Sequence, residues 1–191
     1  LVGRSEDLFG PGIGWTFLKS SNLQRHRLYN EFKSVLRFVL GESSARQLTG
    51  ELSSLADEIV ADAFTRARTE LEHARGLSVA LIALGKFGGG EISIGSDLDV
   101  ILLHKGVSRT NTSKIVNTLG RRLREMLDQV YQVDFRLRPE GKNAPLASEF
   151  QYYKDYFAGR ASLWERQSLL KARFVAGDAD FGREVMDHVL S

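Results

Sequence analysis

SVALIALGKFGGGEISIGSDLDVILL, residues 78–103, sets two short apolar runs around a glycine-rich turn and a pair of aspartates. Ser78–Leu84 is continuously apolar after its first residue and is bounded by Gly76 and Gly85; Leu98–Leu103 follows with Val100, Ile101 and Leu102. Runs of this length between glycines predict strands rather than helices. The turn between them does not fit the common phosphate loops. A Walker loop needs Ser or Thr after Gly-Lys, but Phe87 follows Gly85-Lys86. A dinucleotide fingerprint needs G-x-G-x-x-G, whereas Gly85, Gly88, Gly89 and Gly90 are spaced GxxGGG.

What the turn delivers is Asp97-Leu98-Asp99. Residues i and i+2 of a strand share a face, so Asp97 and Asp99 point together while Leu98 points to the core. Two close carboxylates repel unless one is protonated or a cation lies between them. A hard divalent cation such as Mg²⁺ satisfies that demand and can hold a nucleotide's phosphates as well. The glycines allow close backbone approach, and free N–H groups at such a turn make an anion nest. Glycine runs and D-x-D pairs are also common in solvated turns, so these features do not define a site alone.

Further along, YQVDFRLRPEG places Asp134, Arg136 and Arg138 on alternate positions, opposite Val133, Phe135 and Leu137. The alternation predicts a strand over Tyr131–Leu137, ended by Pro139. Its polar face is either simply solvated or contributes a third carboxylate and two cations to the first pair. Three carboxylates holding two metal ions can stabilise both the attacking and the leaving oxygens of a phosphoryl transfer, and arginines suit bidentate contact with phosphate.

Helical spacing surrounds these strands. Asn22–Leu40 carries Leu23, Leu28, Phe32, Val35, Leu36 and Val39 at helical intervals before Gly41, and Glu51–Ala74 carries a longer stripe with Gly76 as its expected C-cap. Asn111–Asp128 is again helical, and three helices are expected at Ser148–Ala158, Ser162–Val175 and Asp180–Leu190. Residues 1–20, with Phe9, Trp15 and Phe17, follow no period and read as an irregular arm. The expected fold is α+β: a small mixed sheet covered by helices on one face, with leading and trailing helices. Residues 1–50 are expected to form an arm and helix, in part a linker, and 51–191 the main domain.

The composition of the 191 residues is that of a soluble globular protein, with 42% hydrophobic and 26% charged residues. The net charge of +2 creates no field that marks a nucleic-acid or membrane binder. Absent cysteine excludes disulfides and thiolate metal sites and suits a cytoplasmic setting. No apolar run approaches the ~20 residues of a membrane span. A first residue of Leu rather than Met points to a piece of a longer protein.

Leu84-Gly85-Lys86, the ten residues that follow, Asp97-Leu98-Asp99 and the later Asp134 resemble the signature of the DNA polymerase β-like nucleotidyltransferases. Lys86 departs from the usual Gly or Ser of that signature. With GKFGGGE, SDLD, VDFRLRPEG, WERQSLLKAR and AGD, it resembles the glutamine synthetase adenylyltransferase branch over about Leu55–Asp178. The resemblance implies a nucleotidyltransferase-type sheet with Asp97, Asp99 and Asp134 as catalytic ligands of Mg²⁺ or Mn²⁺. It implies ATP as substrate, bound by Gly85, Lys86, Gly88, Gly89 and Ser96, with Arg136 and Arg138 against phosphate or partner. Trp164-Glu165-Arg166 and Lys171-Ala172-Arg173 match a helix beside the site, which can equally be a packed helix with a solvated basic side. Family members modify a tyrosine of glutamine synthetase or remove the AMP by phosphorolysis, in two similar domains governed by PII-type signalling proteins and glutamine. GGGE and KAR resemble the removing half; YQVD, WERQ and VAGD resemble the adenylylating half, toward which the reading leans. Two other readings stand beside it: a catalytically silent nucleotide-sensing or docking domain, and a nucleotidyltransferase with a different acceptor. No nucleic-acid or membrane partner is expected.

Overall fold

The computed structural model describes residues 23–71, 77–105 and 112–190. The expected irregular arm and the C-cap at Gly76 lie outside these residues. Helix α1 (Leu23–Val39) stops at Gly41, whose φ of 76° suits glycine. Helix α2 (Ala45–Glu70) starts six residues before the expected Glu51 because Ser44 and Gln47 form a capping box, so it runs through the 50/51 boundary placed from sequence. The chain continues through β1 (Val79–Ala83), a one-turn helix α3 (Gly85–Gly88), β2 (Leu98–His104), α4 (Thr112–Leu127), β3 (Val133–Asp134) and β4 (Ala147–Glu149). Helices α5 (Phe150–Gly159) and α6 (Leu163–Ser168) follow, then a 3₁₀ turn over Leu169–Lys171, β5 (Arg173–Gly177) and α7 (Ala179–Val189).

β1 is an inner strand, antiparallel to β2 on one side and to β5 on the other. The outer edge of β2 is shared: Leu98 and Asp99 pair with Val133 and Asp134, while Leu102–His104 pair with Ala147–Glu149, both in parallel. The sheet is mixed, as expected, but helices cover both of its faces rather than one. Val79, Leu81, Ala83, Val100 and Leu102 pack with the stripe of α2 and with Val116, Leu119 and Leu123 of α4. Ala80, Ile82, Ile101 and Leu103 pack on the opposite side with Phe150, Tyr153 and Phe157 of α5 and Phe181 and Val185 of α7. This is why the two runs are apolar at every position: a strand buried on both faces has no solvent side to mark.

Two expected elements are corrected. The helix over Ser162–Val175 ends in the 3₁₀ turn at Lys171, and Arg173–Gly177 is a strand added to β1. The strand over Tyr131–Leu137 pairs only at Val133–Asp134, and the chain then turns. Among the described residues, no helix is long and apolar enough to cross a membrane.

Candidate functional site

The antiparallel β1–β2 pairing brings the end of β1 to the start of β2, and Leu84 N–H donates to Asp99 O at 2.9 Å. Asp97 precedes β2 and Asp99 lies within it, while Leu98 between them is fully buried. The parallel pair Asp99↔Asp134 then carries the third carboxylate to the same place. One oxygen from each of Asp97, Asp99 and Asp134 lies within 4.8 Å of the others. Asp97 is exposed and the other two are half-buried.

This crowding has an electrostatic signature. Burial, then the charges of Asp97 and Asp134, push the Asp99 carboxyl above its ordinary value, and Arg136 and Lys86 pull it down less. Asp134 is held below its ordinary value, chiefly by its hydrogen bonds with Arg136. Arg136 Nε donates to both Asp134 oxygens at 3.0 and 2.7 Å, and the Arg136 backbone N–H adds a bond of 2.7 Å. An all-oxygen, anionic donor set suits a hard divalent cation. Such a cation would have to share Asp134 with Arg136.

Gly85 explains its own identity. Its φ is +55°, and a Cβ there would stand 2.5 Å from Asp99 Oδ2. The glycine turn therefore lies directly against the acidic cluster, with Lys86 exposed at its start. Gly88 is required by close packing against backbone, whereas Gly89 is exposed and faces only the flexible Lys171 side chain. A Cβ at Gly88 would meet Lys171 O at 2.0 Å, and one at Gly89 would meet Lys171 Cδ at 2.8 Å. Ser96 closes a turn, its Oγ accepting from Ser93 N–H at 3.1 Å.

The two arginines part company. Arg136 is exposed beside the cluster, whereas Arg138 is 6% exposed and turned inward. Its guanidinium donates to Phe135 O and Ala144 O, so it braces the loop after β3. Trp164 is exposed, Arg166 donates to Ala161 O, and Glu165 closes a capping box with Ser162.

Arg173 has the most direct structural link to the turn. It donates to Asp57 through two nitrogens at 2.9 and 2.8 Å, and to Phe87 O and Gly88 O at 3.0 and 3.2 Å. Strand β5, helix α2 and the glycine turn thus meet at one guanidinium. Asp57 was not singled out from sequence. It is an acidic residue within a long amphipathic helix, and only the fold supplies its partner 116 residues away.

Comparison with known proteins adds a family. A family model described as glutamate-ammonia ligase adenylyltransferase matches residues 20–187, a wider span than the motifs alone covered. Curated relatives named bifunctional glutamine synthetase adenylyltransferase/adenylyl-removing enzyme include one from Xanthomonas oryzae pv. oryzae, 35% identical over 82% of this chain and 19% of its own. A Chromobacterium violaceum relative of that name is 33% identical over 96% of this chain and 21% of its own. One from Bifidobacterium longum subsp. infantis is 29% identical over 98% and 18%. The chain therefore spans about a fifth of the length of these relatives.

Proposed function

The chain belongs to the glutamate-ammonia ligase adenylyltransferase family, and from that premise we propose that it is a nucleotidyltransferase domain moving AMP between ATP and a tyrosine hydroxyl of glutamine synthetase. The observation that carries this reading is the convergence of Asp97, Asp99 and Asp134 within 4.8 Å, beside the Gly85 turn. In this reading Asp97, Asp99 and Asp134 hold Mg²⁺ or Mn²⁺, which when bound supplies charge neutralisation for the triphosphate and acidifies the acceptor hydroxyl. The phosphates lie along the Gly85–Gly89 turn near Lys86. Asp134 takes the tyrosine proton, and the phenolic oxygen bonds to the α-phosphorus as the bond to the bridging oxygen breaks and pyrophosphate leaves. Arg136 balances the negative charge gathering on the phosphoryl oxygens. Arg138 contributes by fixing the loop that carries Arg136. The removing reaction would use the same groups: orthophosphate attacks the phosphorus of the tyrosine-linked AMP, the bond to the tyrosine oxygen breaks, the phenolate leaves and takes up a proton, and ADP is the product.

The YQVD, WERQ and VAGD motifs favour the transferring direction, against GGGE and KAR, which resemble the removing half. The catalytic unit expected at residues 51–191 reaches back along α2 to Ala45 and belongs to a longer, cytoplasmic enzyme regulated by a PII-type protein. A silent nucleotide-sensing domain is the second reading, favoured by the hold of Arg136 on both Asp134 oxygens. The test is transfer of label from radiolabelled ATP to purified glutamine synthetase. Asp97→Asn and Asp99→Asn should each lower transfer by about a hundredfold or more with circular dichroism unchanged. Near-normal transfer by either variant overturns the metal assignment. Absence of label in both directions overturns the acceptor, and label from UTP alone would identify a different nucleotide. Calorimetry separates the silent reading, which requires ATP binding that does not depend on the cation.

A further inference from the structure

Across the sheet, the order turn–β2–β3 gives the acidic cluster two sides. The Gly85 turn follows β1 and touches Asp99, whereas Asp134 sits on β3, the outer strand at this end. Beyond Asp134 lies a groove of about 620 Å³. It includes Asp134 in its wall but not Gly85, Lys86, Asp97 or Asp99, so it opens onto the cluster from the side away from the turn.

The groove's charges come from separate elements. Arg124 reaches it from the last turn of α4, Arg136 from the loop after β3, and Lys142 from the 3₁₀ turn over Gly141–Asn143. Its only carboxylates are Asp128, which pairs with Arg124 at 3.2 Å, and Asp134 itself. Lys142 is exposed and has no ion pair or hydrogen bond among the described residues. Arg136 leaves 73% of its side chain exposed while anchored on Asp134, and its Nη1 makes none of the bonds to that carboxylate. A groove that keeps solvated cations beside a carboxylate attracts an anionic partner and orients it through charge.

We infer that this groove receives the acceptor polypeptide, and that the acceptor hydroxyl is flanked by acidic residues. The inference rests on the transferase reading above and adds the class of acceptor. Asp134 is the group that both the cluster and the groove share, so a hydroxyl delivered along the groove arrives at the carboxylate that takes its proton. Phosphates of the nucleotide lie on the turn side, so Arg136 stands between the reacting phosphorus and the groove, and Lys142 is left to the acceptor.

The experiment has a binding arm that needs no turnover. Tyrosine peptides of one length, with acidic, neutral or basic neighbours, are titrated into the protein by fluorescence anisotropy at low salt. The acidic peptide should bind about tenfold more tightly than the neutral one and lose that advantage near 1 M salt, roughly where charges more than 3 Å apart are screened. Lys142→Glu should erase most of the preference, while Lys142→Arg keeps it. In the kinetic arm, Lys142→Glu should raise KM for glutamine synthetase about fivefold while KM for ATP stays within twofold. Equal affinity for the three peptides overturns the inference, as does an unchanged preference in Lys142→Glu. A rise in KM for ATP alone overturns it too, because the groove would then serve the nucleotide. If the wild-type protein transfers no AMP, the transferase reading fails, and the peptide arm still decides the charge preference of the groove.

Discussion

At Gly85 two demands fall on one backbone position. The φ of +55° disfavours any side chain, and the Asp99 carboxylate occupies the space where a Cβ would go. The same carboxylate is crowded by Asp97 and Asp134, and together with its burial that crowding disfavours the ionised form. Asp99 is raised in the fold, so its ionised form disfavours folding. That penalty is absent below the ordinary Asp value of 3.8, grows as pH rises through the raised folded value, and is complete above it. Asp97→Asn removes one repelling charge but not the burial that dominates the shift. In EDTA at pH 7 the variant should therefore melt about 1–2 °C above wild type, with the gap closing under acid. Millimolar Mg²⁺ should reverse the order, because only the intact cluster gains from binding. Scanning calorimetry over pH reads both effects. A variant that melts below wild type at pH 7 in EDTA would show that the acids are not in conflict.

At the scale of elements, the placement of α3 depends on β5 and α2 through one ion pair. Arg173 bonds the last carbonyls of a four-residue helix, and a cation at a helix C-terminus is favourable for the dipole as well. Arg173→Ala should cost about 1–2 kcal/mol, after discounting the Asp57 pair for its 36% exposure on each side, and raise KM for ATP roughly tenfold. The exchanged pair Asp57→Arg with Arg173→Asp provides the decisive control. It restores an ion pair but cannot donate to the Phe87 and Gly88 carbonyls, so stability should return in part while KM for ATP stays high. Full recovery of both would mean that Arg173 only staples the fold. The sequence placed Arg173 in a helix, and the error has a physical cause. RFVAG is a short edge strand with an irregular register on β1 and a single buried residue, so its local pattern carries little. By contrast β1 and β2, buried on both faces, were legible as apolar runs. The alternation of VDFRLR misled in the other direction: pairing stops after Asp134, and Arg138, expected on a polar face, is buried with its donors on Phe135 O and Ala144 O. Asp97, Asp99 and Asp134 were nevertheless legible as acids at strand spacing, although their meeting depends on the Asp99↔Asp134 pairing.

For the whole molecule, the site occupies one end of a sheet whose inner strand β1 is sealed between two cores. Every residue of β1 is buried, whereas α1 leaves Leu28, Phe32 and Val39 largely exposed and lies against α2 alone among the major helical contacts. Amides in β1 should thus exchange only when the whole domain opens, and those of α1 by local opening. Mg·ATP at a hundred times its Kd stabilises the folded state by about 2.7 kcal/mol, and globally protected amides must all gain that amount. Leu81 and Leu102 should then slow by roughly a hundredfold, although neither touches the site. Residues 85–89, 97–99 and 133–136 should slow through direct contact, while α1 should change little. A different cavity, about 540 Å³ between α1 and α2 and lined by Lys33, Arg37 and Glu51, offers the competing location. Nucleotide bound there would protect α1 first and leave the three acidic segments with only the global gain. Hydrogen exchange with and without Mg·ATP therefore distinguishes the two ends of the molecule, and strong protection of α1 would displace the site from the acidic cluster.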